Sequence, residues 1–208
     1  AYYRTKTNHI LSKALPLMEI YTGESKEEFH RFLAGEAGKD GVSSNLYTAL
    51  PLYTISEELF QNILERNHIP AEKQQMLLQE LRREKDNFLQ TLQSGPVEDR
   101  IPALSREEYA EMPLTLSLSE AFYEHEICCT YDEYLEHSHQ TMAFAEHTPN
   151  YTVLSQHTRI FRNIQIRIKH SEWVIISKNK SPVIHFVIRH PKMRKAIEDG
   201  LWQVLNEE

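Results

Sequence analysis

Three features of this 208-residue chain predict a mixed α/β (α+β) fold, with a largely antiparallel C-terminal sheet, flanking helices and an inserted helical hairpin. Strand-like and amphipathic helical runs alternate through the first half. The stretch NIQIRIKHSEWVIISKNKSPVIHFVIRHP, from Asn163 to Pro191, reads as three strands joined by short polar turns. No fixed-period repeat is visible, which disfavours solenoids and propellers. The expected order is β-α-β-α-α, then α-β-β-β-β-α.

ILSKALPLMEIYTG begins with a short helical pattern and passes into a strand around Leu17 to Tyr21, closed by Gly23. SKEEFHRFLAGEAGKDG follows as a helix. Ser25 is its candidate N-cap, with Glu28 at capping-box spacing, and the exit is glycine-rich. ISEELFQNILERNH places Ser56 before a 3.6-residue pattern of Leu59, Phe60, Ile63 and Leu64, and Ile69-Pro70 interrupts before a second, longer helix. There Met76, Leu77, Leu81, Phe88, Leu89 and Leu92 form one stripe. A helix of that length is more often used for packing or dimerisation than for catalysis. The first 94 residues therefore read as an α/β unit with a helical hairpin.

Residues 95–113 resemble a linker, since Gly95, Pro96, Pro102 and Pro113 break any periodicity. Residues 114–208 add a short strand, a helix from about Asp132 to Glu146, the meander and a final helix that Pro191 suits as a first-turn residue. This second part is expected to form one compact domain with the first. In IQIRIK the apolar Ile164, Ile166 and Ile168 alternate with Gln165, Arg167 and Lys169, a period of two that gives one core face and one wet, basic face. VIHFVIR is apolar at nearly every position, as in a central strand covered on both sides, with His185 either an interior histidine or a pocket group.

The net charge of -7 is unevenly spread. Between His157 and Lys195 ten Lys or Arg face a single acid, Glu172, whereas the rest of the chain is strongly acidic. A basic sheet face beside a helix N-terminus suits an anion, so the candidate ligand-binding residues are Arg162, Arg167, Lys169, Lys178, Arg189 and His190. The same face could instead pack on the acidic part of the chain or be a solvated surface. Nucleic acid is disfavoured, because the cations lack interleaved exposed aromatics and the acidic remainder repels a polyanion.

No stretch is apolar enough for a membrane helix and no secretory signal is seen, so a soluble, cytoplasmic protein without membrane contact is expected. Cys128 and Cys129 are adjacent and make no disulfide framework. Segment 124–139 gathers His, Cys and Glu, but nothing pairs with His125 and Cys128 to complete a zinc set, so neither metal nor cofactor is expected. Nucleophile-elbow, zincin, Walker and dinucleotide motifs are all missing, which gives no catalytic residue to nominate.

FRNIQIRIKHSEWVIISKNKSPVIHFVIRHPKMRKAIE, residues 161–198, resembles the C-terminal end of bacterial helix-turn-helix transcriptional regulators, with weaker similarity in MEIYTGESKEEFH. The resemblance implies a sensor or effector region, a homodimer, and DNA contact only through a domain that this chain lacks, consistent with a start at Ala1. A fainter similarity is to phospholipase D-like folds, some of which serve as ligand-binding domains. Their H-x-K-x-x-x-x-D strand is matched here by Gln165 in place of His and Arg167 in place of Lys, with no Asp at the required spacing. A phosphohistidine mechanism at this strand is thereby excluded, while phosphate or sugar recognition is not. The expectation is a regulatory domain that senses a small anionic or phosphorylated effector or dimerises. The alternatives are a hydrolase or phosphotransferase and a pure protein-interaction module built on the Glu57–Gln93 helices.

Overall fold

A computed structural model describes residues 16–156 and 163–206. In chain order the elements are β1 (Met18–Tyr21), α1 (Lys26–Ala37), β2 (Ser43–Leu46), α2 (Glu57–Arg66), α3 (Ala71–Ser94), β3 (Val97–Pro102), α4 (Arg106–Glu111), α5 (Tyr131–Glu146), β4 (Tyr151–Gln156), β5 (Ile164–Lys169), β6 (Trp173–Lys178), β7 (Ile184–Ile188) and α6 (Pro191–Asn206). The expected mixed fold is present: one seven-stranded sheet with six helices among the described residues. The helical pattern ahead of Leu17 lies outside those residues. None of the described helices is long and apolar enough to cross a membrane.

The sheet order is β1-β7-β6-β5-β2-β3-β4. β5, β6 and β7 form the expected antiparallel meander, β1 adds to its outer edge, and β2 joins it to a parallel trio with β3 and β4. First and last strands are thus hydrogen-bonded neighbours, and the two halves of the chain share one sheet.

The segment expected as a linker contains β3, which lies between β2 and β4. Its inward positions are Val97, Asp99 and Ile101, so the buried acid Asp99 breaks the apolar alternation by which a strand is recognised. Gly95 ahead of it serves a close approach: a Cβ there would run into the Gly41 carbonyl, where Gly41 N–H donates to Ser94 O. Gly95→Ala is expected to lower folding stability by about 2 kcal/mol. An unchanged urea midpoint would show that the β2 and β3 entrances tolerate the extra carbon.

Helix starts follow local chemistry. The Ser56 hydroxyl accepts from Leu59 N–H as expected, and Ser105 and Thr130 do the same for α4 and α5. Ser25 differs: its hydroxyl bonds back to the amide and carbonyl of Thr22 in a short turn, so the Ser25–Glu28 capping box does not form. The strand expected after Pro113 reduces to one bridge, Thr115 opposite Cys128.

Both sheet faces are covered. The isoleucines of β5 pack with Leu46, Val174 and the α6 residues Leu201 and Leu205. On the other face Phe29 and Leu33 of α1 meet Trp173, Ile175 and Val187, while Phe88 and Leu92 of α3 meet Val97 and Tyr151. The hairpin stripe is used within the domain: Leu77 and Leu81 pack with Phe60, Ile63, Leu118 and Ile127, each contributing roughly 2 kcal/mol through burial. Leu89 is the member left exposed. The β5 face expected to be wet is therefore covered by α1, α3 and segment 114–125, with Gln165 and Lys169 both buried. Amphipathic helices need an apolar partner, and the two basic side chains are accommodated because each finds a fixed partner, as described next.

Candidate ligand-binding site

Strand register brings the polar side chains of the covered face into one row. Asn45 on β2 lies opposite Asp99 on one side and Arg167 on the other. Asp99 is fully buried and accepts three hydrogen bonds, from Asn45 Nδ2 at 2.7 Å, Tyr53 OH at 2.5 Å and Tyr151 OH at 2.6 Å. Burial raises its pKa, an effect that the Tyr151, Tyr53 and Asn45 donors and nearby Arg167 oppose. Tyr47 shares its hydroxyl with Tyr53 at 2.8 Å, and the Tyr53 ring stacks on Phe88 at 3.8 Å. Burial, and then the Asp99 carboxylate, push both phenols well above their ordinary range. This network rigidly joins β2, β3, β4 and α3.

Arg167 forms an ion pair with Glu120, which arrives on the irregular segment between Leu114 and Thr130. Burial works against the guanidinium charge, but Glu120 together with Tyr47, Tyr53 and Glu84 outweighs it and the Arg167 pKa is raised. The Glu120 carbonyl is itself bonded by His30 Nε2 at 2.7 Å, fixing this segment to α1. Lys169 donates to the carbonyls of Glu36 and Lys39 at 2.8 and 2.7 Å, closing the C-terminal end of α1, where the helix dipole favours a cation. Burial lowers its pKa, opposed by Glu36. Glu36 bridges Lys39 Nζ at 2.5 Å and Trp173 Nε1 at 2.8 Å.

Between these groups and α3 lies a narrow cleft of about 590 Å³ including its open mouth. Glu84 and Asn87, one helical turn apart, line it from α3. Glu84 is 8% exposed, and its Oε1 has no hydrogen-bond partner among the described residues; the same holds for the buried Nδ2 of Asn87. Burial, then repulsion by Glu120, raises the Glu84 pKa well above the carboxylate range, with Arg167 opposing. Tyr47, Tyr53, Glu84 and Glu120 also border a smaller recess lined by Ser117, Ser119 and Gln165.

The residues expected to hold an anion do not converge. Arg167 and Lys169 line the cleft and are committed as described. Lys178 donates to the carbonyls of Lys180, Ser181 and Pro182 and so ties its own turn. Arg189 pairs with Glu19 at 3.4 Å and lies over the Phe32 ring. His190 Nδ1 accepts from Met193 N–H at the start of α6, a capping role. Arg162 lies outside the described residues. His185 is interior: it accepts from the Ser177 hydroxyl at 2.7 Å, donates to Ser119 O at 2.8 Å and stacks on Phe29 at 4.0 Å. In segment 124–139 His137 is buried against Pro51 O, and no three His, Cys, Asp or Glu side chains converge on a metal position among the described residues.

Sequence reasoning missed Asn45, Tyr53, Glu84, Asn87, Asp99, Glu120 and Tyr151. One signal was present: Glu84 falls on the stripe of Leu77, Leu81, Phe88 and Leu92, where an apolar residue belongs. A carboxyl buried there costs stability unless something else requires it. Comparison with protein-family models, curated proteins and solved structures finds no match to this chain.

Proposed function

We propose that this chain is the ligand-sensing domain of a transcriptional regulator and that the cleft between the sheet, α1 and α3 is its effector site. The observation that carries the reading is the pair Glu84 and Asn87, whose buried Oε1 and Nδ2 have no partner among the described residues although the charged groups Glu36, Glu120, Arg167 and Lys169 of the cleft wall are all matched. A buried polar group left unpaired costs about 1–3 kcal/mol, a cost that a hydrogen-bonding ligand removes. The resemblance of residues 161–198 to regulator C-terminal regions supports the sensing role. The apolar wall of Leu33, Ala37, Phe88, Val97 and Trp173 with a few directed polar groups is the usual make-up of a small-molecule site.

A fragment screen followed by NMR tests the reading. Binders are expected to shift the Trp173 indole N–H and to lose about tenfold in affinity in the Glu84→Leu variant, as expected when one buried hydrogen bond is removed. A screen whose hits all leave Trp173 unmoved would refute the site.

A further inference from the structure

The cleft's ionisable groups divide sharply into matched and unmatched. Arg167 is neutralised by Glu120, Glu36 is shared between Lys39 and the Trp173 indole, and Lys169 is held by two carbonyls. Asn45 is spent on Asp99. An incoming anion would find no uncommitted cation in this wall and would face Glu84 and Glu120. A cation would face Arg167 and Lys169. What remains is Glu84 and Asn87, side by side on α3, with flat apolar surfaces around them.

We propose that the cleft binds a small neutral molecule with an amide edge, a carbonyl and an N–H next to each other, on a compact planar ring. The inference rests on the ligand-sensing reading and narrows its chemistry. An amide side chain offers both a donor and an acceptor, and so does a protonated carboxyl. Burial keeps Glu84 in that form, helped by the negative charges of Glu120 across the cleft and Glu80 on its own helix and opposed by Arg167 and Arg83, with the neutral phenols of Tyr47 and Tyr53 beside it. A partner that is itself donor and acceptor satisfies Glu84 and Asn87 together. A carboxylate or an ammonium satisfies one at the expense of the other. The Trp173 and Phe88 rings and the Leu33 and Val97 side chains supply surfaces on which a flat ring is buried.

The test uses the whole ¹⁵N-labelled chain and three ring probes of similar size: 2-pyridone as the neutral cyclic amide, benzoate as the anion and benzylammonium as the cation. The Trp173 indole and the Asn87 side-chain amide report the cleft, and Trp202, on α6 against the opposite sheet face, is the internal control. 2-Pyridone is expected to move the first two signals, leave Trp202 in place and bind about tenfold more tightly than either charged probe. Glu84→Gln, which keeps a neutral donor and acceptor, should retain that binding, while Asn87→Leu should weaken it about tenfold. Binding of benzoate or benzylammonium at Trp173 as tight as that of 2-pyridone overturns the amide inference and leaves the sensing reading standing. Loss of 2-pyridone binding in Glu84→Gln overturns it too, since an ionised carboxylate would then be required. If 2-pyridone leaves Trp173 unmoved the inference also fails, and the effector site itself is then judged by the fragment screen.

Discussion

Arg167→Met is expected to cost about 3 kcal/mol of folding stability, because it strands a carboxylate in a place built for an ion pair. The Arg167 and Glu120 side chains are only 20% and 14% exposed, so water does little to screen either one. Without the guanidinium, Glu120 is left as a lone carboxylate in a medium of low polarity, and the neutral carboxyl of Glu84 across the cleft gives it no counter-charge. Glu120→Leu is expected to cost less. There Arg167 loses its carboxylate but keeps Glu84 nearby, which can give up its proton and take over as counter-ion. The double variant Arg167→Met with Glu120→Leu should lose less than the sum of the two singles, since no charge is left unmatched. Urea titrations of the four proteins measure the coupling. Strict additivity would mean that the pair contributes no net stabilisation, and the position of segment 114–130 over the cleft would then have to rest on its apolar contacts, Leu118 and Ile127 with the hairpin.

The same pair shows how far the sequence could be read. IQIRIK announced a strand with isoleucines on one side, and that is where they lie, under α6. What the alternation leaves open is the fate of the other side, because a period of two assigns residues to faces without saying what covers each face. Arg167 and Lys169 looked like a solvated anion patch only while their partners were unknown. Those partners are Glu120, 47 residues away on a segment with no regular structure, and two backbone carbonyls at the end of α1, which carry no sequence signature at all. The meander, both hairpin helices, α5 and the proline-started α6 were legible because each depends on local periodicity and caps. β3 was not, because its central inward residue is the acid Asp99. That residue is tolerated there only by donors from Asn45, Tyr53 and Tyr151, spread over more than 100 residues of chain. Glu84 carried the one usable hint, an acid on an apolar stripe, and it is the residue around which the candidate site is built.

Acidification from pH 6.5 to about 4 is expected to remove about 3 kcal/mol of stability for each of two buried histidines, His137 and His185. Burial drives both pKa values down from 6.5 to about 4, opposed by the hydrogen bonds to Pro51 O and Ser119 O and, at His185, by the Glu120 charge. The sign follows from proton binding. Between the two pH values the unfolded chain holds a proton on each imidazole and the folded chain does not, so falling pH favours unfolding; above 6.5 the contribution is fully present. Glu84 acts in the opposite sense. Its folded pKa is raised, so its contribution is fully present below about 4.5 and is lost as the pH rises through the folded value. A plot of wild-type stability against pH therefore sums opposing slopes, and single substitutions separate them. His137→Gln and His185→Gln should each have a lower plateau at neutral pH, from lost packing and hydrogen bonds, and a shallower decline toward pH 4 than the parent. If both variants decline as steeply as the parent, the two imidazoles are already charged in the fold. The Ser177 hydroxyl, which now donates to His185 Nδ1, would then have to turn and accept instead. The stacked Phe29 ring would then lie against a cation at the base of α1.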